Sequence, residues 1–339
     1  MKALVVGLLC LGIFESATQA AKITTIKIDG ASNVDPAGIN NHGQITGTVT
    51  FDGNAIVKGF VRDTDGSITV FDPSDREYTT SNAIDAAGNV SGQIRQCPEN
   101  LRYCILDAYV RAWDGTTTFF AVGQGQYGDT VPCCVKTEGW IAGSATDVDG
   151  DRVETYGFAR SPAGTVTPIS MPGSEATYIY GMNSSEKVTG QYTVPNSSIS
   201  NGFIRASDGT FKTISLSGLS VIPTSINADG AVAGYVFDAQ QQQWHGFIRD
   251  SRGNIQKFDA PNATGDTIPV SLNDAGSIAG YYGTANGVYG FVRARNGKIR
   301  TIAPHGSTNT YVTGMNQHGV IVGTYTDRTG ADVGFIRTP

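Results

Sequence analysis

The feature that most constrains this chain is a ten-residue pattern, GINNHGQITG at 38–47, that returns six more times. The later copies are AIDAAGNVSG (83–92), CVKTEGWIAG (134–143), GMNSSEKVTG (181–190), SINADGAVAG (225–234), SLNDAGSIAG (271–280) and GMNQHGVIVG (314–323). Each reads as two short strands around a tight turn: usually Asn, two turn residues, usually Gly, then an alternating apolar run ending in Gly. Asn opening a four-residue turn accepts hydrogen bonds from the backbone ahead of it. Gly at the fourth place supplies the permissive backbone that leads into the return strand.

The pattern sets a period. Residues 23–339 divide into units 23–66, 67–115, 116–164, 165–209, 210–253, 254–297 and 298–339, each with four strand candidates. An alternating run such as SITVFD (67–72) or NIQKFD (254–259) comes first. The two patterned strands follow. The fourth is a Gly-Phe-x-Arg strand: GFVR (59–62), AYVR (108–111), GFAR (157–160), GFIR (202–205 and 246–249), GFVR (290–293) and GFIR (334–337). Tight turns such as Asp65-Gly66 and Asn296-Gly297 tie that strand to the alternating run of the next unit as a hairpin.

The structural sheet is therefore the Asn strand, the Gly-ending strand, the Gly-Phe-x-Arg strand and the alternating strand after it. Counted this way, the last sheet lacks its fourth strand, and ITTIKID (23–29) is a spare strand of the right kind at the other end. The expected fold is all-β: a seven-bladed β-propeller of four-stranded antiparallel blades, its ring closed by the N-terminal strand. A β-solenoid is the alternative, and the chain lacks the hexapeptide-like period that stacked rungs require.

Gly inside a strand costs up to about 1 kcal/mol, so Gly at 47, 92, 143, 190, 234, 280 and 323 calls for a packing reason. Close approach of a large ring supplies one, and Phe60, Tyr109, Phe158, Phe203, Phe247, Phe291 and Phe335 offer one ring per unit. Each buried ring is worth about 1.5–3 kcal/mol. The Arg two positions on (62, 111, 160, 205, 249, 293 and 337) reads as a long stem packed along the sheet. Its guanidinium would go to carbonyls or to carboxylates such as Asp63, Asp72 or Asp259.

The GFxRDxxGxxxxFD hairpin followed by GINxxGxIxG resembles the bacterial extracellular repeat family called HAF, in a variant with a Gly-Phe pair; His245-Gly246-Phe247 keeps the His. The resemblance covers 23–339, with departures in the second and third units. It implies exported, propeller-like proteins and carries no catalytic or binding residues with it.

The first twenty residues, MKALVVGLLCLGIFESATQA, have a Lys beside the start, an apolar run at 3–14 and small residues at Thr18 and Ala20. They read as a secretory signal peptide cleaved after Ala20, taking Cys10 with it, with 21–339 as a single propeller domain. A secreted or periplasmic location follows, with no membrane insertion after signal removal. Lys and Arg total 24 against 30 Asp and Glu, a net charge of −6 with no basic run, which argues against nucleic acid as a partner.

Four Cys follow the signal: 97, 104, 133 and 134. In an exported chain they are expected to oxidise, with Cys97 and Cys104 stapling the inserted loop QCPENLRYC. For the adjacent pair Cys133-Cys134, a vicinal bridge or links to the other loop stay open. DVDGDRVE (147–154) resembles a calcium loop superficially, but its Gly is at the fourth place and the closing Glu at the twelfth is absent, so a surface hairpin is expected. His42 and His318 share one turn position in the first and last units, which would be adjacent blades of a closed ring, and are expected to be solvated. No nucleophile elbow, His-Glu-x-x-His pair or phosphate loop is present. The expectation is no catalytic residue, no metal and no cofactor.

Recognition is expected on the variable connections that a rigid propeller presents together on one rim. They hold Arg76, Tyr78, Tyr103, Asp107, Tyr127, Asp129, Tyr178 and Trp244, and such aromatics with carboxylates and amides suit sugars or peptides. The functional expectation is a monomeric binding or scaffold module for protein or glycan. The alternative is a glycan-active hydrolase or lyase with carboxylates converging on the axial channel.

Overall fold

The structure, a computed structural model, describes residues 21–339 apart from 52, 54–55, 74–77, 98–103, 125–127 and 137–138. The signal-peptide expectation and Cys10 lie outside the described residues. All regular structure among the described residues is β, in 28 strands.

The first sheet shows the plan. Strands β2 (Asn33–Ile39), β3 (Ile45–Phe51), β4 (Ile56–Arg62) and β5 (Ile68–Phe71) follow one another in space in chain order. The same antiparallel order repeats along the chain. The third and fourth sets join into one eight-stranded sheet through a single parallel pair, Thr155 with Ala176. The final set, Asn309–Met315, Ile321–Thr326 and Asp332–Thr338, takes its fourth strand from β1 (Lys22–Ile26). Five registered pairs, Lys22 with Thr338 through Ile26 with Gly334, hold that strand, and Ile26 is buried.

The two tight turns of the first sheet use one device. In the first sheet Asn40 N–H donates to the Gln44 carbonyl and Gly43 N–H to the Asn40 carbonyl, while Asp63 and Ser67 repeat the geometry with Gly66. Gly43 and Gly66 have φ of +92° and +94°, the left-handed backbone that closes a type I turn with a bulge. Asn40 Oδ1 accepts from His42 N–H and Gln44 N–H, which is why Asn opens the turn.

The Gly of each pattern lies inside its strand rather than at the end. Gly47 is the third residue of β3 and pairs directly with Phe60. The same register sets Gly92 against Tyr109, Gly143 against Phe158, Gly190 against Phe203, Gly234 against Phe247, Gly280 against Phe291 and Gly323 against Phe335. All seven rings are fully buried. A Cβ on Gly47 would stand 2.8 Å from Phe60 Cε1 and 2.7 Å from Pro36 Cα, so the ring and the inner strand together exclude any side chain.

The Gly before the ring makes room for the next sheet at several of the junctions. A Cβ on Gly202 would meet Pro223 at 2.7 Å, and one on Gly334 would meet Pro36 at 3.1 Å, so the last sheet abuts the first as the fourth abuts the fifth. The arginines follow the stem reading in part. Arg62, Arg111, Arg205 and Arg249 donate to the carbonyl of the next residue, and Arg62, Arg111 and Arg205 also act electrostatically on Asp65, Asp114 and Asp208 in the turn that follows. Arg111 lies over Phe71 at 4.7 Å and Arg160 over Phe120 at 4.8 Å, a cation–π geometry.

Candidate functional site

Each innermost strand carries one extra residue. The register slips between Pro36 and Gly38, and at the same level in every other sheet, leaving Ala37, Asn82, Cys133, Tyr180, Thr224, Val270 and Thr313 unpaired. A β-bulge re-aims the side chain it frees. All seven of these residues line one cavity of about 350 Å³. A second, open cavity of about 520 Å³ shares Ala37, Asn82, Val270 and Thr313 with it. The two are halves of one passage narrowed at the bulges.

The half toward the Asn turns is bounded by a hydrogen-bonded belt. Asn40 Nδ2 donates to the Asp85 carbonyl, Asn183 to Asn227, Asn227 to Asn273, and Asn316 to Asn40. A second belt runs one residue further on: Gln317 N–H donates to Asn41 Oδ1, Asp274 N–H to Gln317 Oε1, and Ala228 N–H to Asp274 Oδ1. In the third sheet Lys136 stands where five sheets have Asn, and its side chain reaches into the cavity. Lys136 is exposed to the open cavity, yet the surrounding wall thins the water about its amine and pushes it below the ordinary lysine value, while the Asp274 carboxylate opposes that shift.

A run of aromatic rings lies beside the cavities, with Tyr180 lining the first and Tyr281 the second. Tyr178 and Tyr180 stack with ring centroids 6.4 Å apart, Trp244 meets Tyr235 at 5.0 Å and Phe237 at 4.7 Å, and Tyr281 meets Tyr311 at 5.2 Å. These tyrosines form an arc over the fourth to seventh sheets. Burial pushes Tyr180 up to about 12, with Tyr235 and Tyr178 adding to it; Tyr235 is raised by burial and Tyr281, and Tyr281 by burial, Tyr311 and Asp266. Asp35, against the seventh sheet and lining the second cavity, is raised above the ordinary carboxyl value by burial, lowered in turn by the Thr324 hydrogen bond and raised again by Asp332. Thr80 Oγ1 and Gln93 Oε1, in residues lining this half, are buried without a hydrogen-bond partner among the described residues.

Of the residues expected on a rim, Tyr178 and Trp244 belong to this arc. Asp129 is a structural acceptor, its Oδ1 taking the Leu106 N–H at 2.8 Å, and Asp107 lies within a strand opposite Ile94. Tyr78 carries the Arg95 guanidinium over its ring at 4.2 Å. Arg76, Tyr103 and Tyr127 lie outside the described residues. Tyr180, Tyr235, Tyr281 and Tyr311 were not among the expected residues. Tyr235 and Tyr281 directly follow the strand Gly, a place where other sheets have Thr48, Gln93, Ser144, Gln191 and Thr324, and that position was the available signal.

Other candidates resolve into structure. Cys97 bonds Cys104 and Cys133 bonds Cys134, so the vicinal bridge sits on the bulge of the third sheet. DVDGDRVE forms a hairpin in which Asp147 Oδ1 accepts from Gln124 N–H and Tyr156 Oη, and Arg152 pairs with Glu154. Among the described residues no three His, Cys, Asp or Glu are grouped to hold a metal ion. His42 reaches the Ala86 carbonyl through Nδ1 at 2.9 Å. His245 pairs with Asp259 at 2.9 Å, but its Nε2 is buried, shut off from any substrate it would have to serve as base.

No family model and no curated protein sequence matches the chain. Solved structures do. A streptogramin B lyase is 16% identical with a TM-score of 0.57, over 93% of this chain and 97% of its own. A catalytically inactive virginiamycin B lyase from Staphylococcus aureus, with quinupristin, is 13% identical with a TM-score of 0.59, over 94% and 100%. The β-propeller domain of the Trilobed protease from Pyrococcus furiosus, described as having an open velcro topology, is 11% identical with a TM-score of 0.61, over 90% and 95%. At these identities the likeness shows the fold alone: this chain is an all-β propeller.

Proposed function

We propose that the chain is an exported seven-bladed propeller with HAF-type repeats, its last blade completed by β1, that works as a monomeric binding module for carbohydrate. The observation that carries the ligand class is the tyrosine arc around one mouth of the passage, with Tyr180 and Tyr311 exposed. Sugar rings present apolar C–H faces and hydroxyl edges, and phenols match both. Gln93 and Asp35, lining the same cavity as Tyr281, add amide and carboxylate partners for hydroxyls. The two disulfides support a location outside the cytoplasm.

Hydrolysis or elimination on a glycan needs an acid and a base facing one bond. Among the described residues, Asp274 is the one carboxylate lining the cavity at the Asn turns, and Asp35 lines the other half, beyond the bulges. Binding without turnover is the better account of that lining. A glycan array read with the mature chain, then calorimetry on the best oligosaccharide with Tyr281→Ala and Tyr311→Ala, tests the reading. Each variant is expected to weaken binding roughly tenfold, about 1.4 kcal/mol. No glycan bound, or binding by both variants as tight as by the unaltered chain, would discard it.

A further inference from the structure

The cavity at the Asn-turn end has a charge pattern that the carbohydrate reading does not use. Asn in this position folds back to cap its own turn and donates to the next sheet, as Asn183 does through Oδ1 and Nδ2. Lysine has no acceptor and cannot cap, so Lys136 extends its amine into the open space instead. Among the described residues lining that cavity it is the one cation, and Asp274 is the one carboxylate. Lys136 belongs to the third sheet and Asp274 to the sixth, which face each other across the passage.

The two charges feel each other without touching. Their coupling acts on the lysine, yet the ion pairs among the described residues are Arg152 with Glu154 and His245 with Asp259. Asp274 is oriented by the Ala228 N–H, which reaches its Oδ1 at 2.9 Å. Asn41, Ser184, Ser225 and Gln317 add polar groups to the same lining. A free anion drawn by Lys136 meets repulsion from Asp274, and a free cation meets the reverse. A molecule with both charges satisfies both walls at once.

We propose that this cavity binds a small zwitterion, an α-amino acid or short peptide, with its carboxylate on Lys136 and its ammonium on Asp274. The volume of about 350 Å³ falls within the roughly 300–1,000 Å³ of small-molecule sites. The site rests on the two charges and not on the phenols; Tyr180 lines this cavity as well as belonging to the arc, and the charge pairing stands whether or not a sugar binds at the arc.

Ligand-observed NMR and calorimetry on the full mature chain test it with three probes: glycylglycine, N-acetylglycine, which lacks the ammonium, and glycinamide, which lacks the carboxylate. Glycylglycine is expected to bind at least tenfold more tightly than either. Lys136→Met, which keeps the stem, and Asp274→Asn, which keeps the Oδ1 acceptor for Ala228, are each expected to abolish that preference. Should one variant fail to fold, the other variant and the three-probe comparison on the unaltered chain still decide. Equal binding of glycylglycine and N-acetylglycine, unchanged glycylglycine binding in either folded variant, or no saturable binding below about 10 mM would overturn the proposal.

Discussion

Asn316 donates from Nδ2 to the carbonyl of Asn40 at 3.0 Å, across 276 positions of chain. Asn183 makes the same bond to Asn227, its partner in the next sheet, at 2.9 Å. The last sheet therefore meets the first through the contact that joins neighbours in sequence. Asn316 Oδ1 also accepts from His318 N–H and Val320 N–H, so one side chain holds its own turn and the adjoining sheet. Asn316→Asp keeps the acceptor, removes the donor and sets a carboxylate against a carbonyl. Urea unfolding is expected to show a loss of about 1–3 kcal/mol; an unmoved midpoint would mean that the bond adds no stability.

Strand β1 tests the proposed closure. Ile26 is 2% exposed and packs with Val34, Ile45 and Phe60 of the first sheet while pairing with Gly334 of the last. Ile26→Ala is expected to cost about 2–5 kcal/mol. Deleting 22–29 is expected to lower the thermal midpoint of the whole chain in one transition. Faster amide exchange confined to the final sheet would instead mean that the end frays alone.

At Gly234 the space for a methyl group is missing twice over. A Cβ would lie 2.8 Å from Phe247 Cε1 and 2.7 Å from Pro223 Cα. Gly234→Ala is expected to destabilise by about 1–3 kcal/mol. Adding Phe247→Leu relieves the ring but not the backbone, so the pair should stay less stable than Phe247→Leu alone. A double mutant equal to that single variant would remove the backbone from the explanation.

Asp35 gives a pH dependence with a definite sign. Its carboxyl is raised by burial, so the folded chain holds that proton more tightly than the unfolded chain does. The resulting stability is fully present below the ordinary carboxyl value and falls as pH rises from there through the folded value. Asp35→Asn keeps an oxygen for the Thr324 hydroxyl, 3.2 Å away, and removes the charge. Stability measured against pH is expected to be flatter in the variant across that window, with a relative gain at pH 7. Parallel curves would place the dependence elsewhere.

The repeat made the turns and the ring-on-Gly layers legible, because both depend on residue types at fixed offsets. Asn40 with Gly43, and Gly47 with Phe60, are examples where one side chain and one absent side chain specify a local geometry. The strand ends were less visible: β3 runs four residues past Gly47, since pairing continues wherever the partner strand does. The site was the least legible part. Whether Tyr180 faces the passage depends on a one-residue slip between Ile179 and Gly181, and alternation by twos cannot show such a slip. Trp244 and Tyr178 were picked for their chemistry, while Tyr281 and Tyr311, far apart in sequence, meet only when two sheets do.

The unpaired residue on each inner strand separates two kinds of selection. Ala, Asn, Cys, Tyr, Thr and Val all occupy that place in this one molecule, while the glycine it flanks across the ladder never varies among the seven copies. Mutation there rewrites what the central opening offers to a visitor and leaves the aromatic layers undisturbed. A scaffold so arranged can trade one ligand for another by single steps, without first having to relearn how to fold.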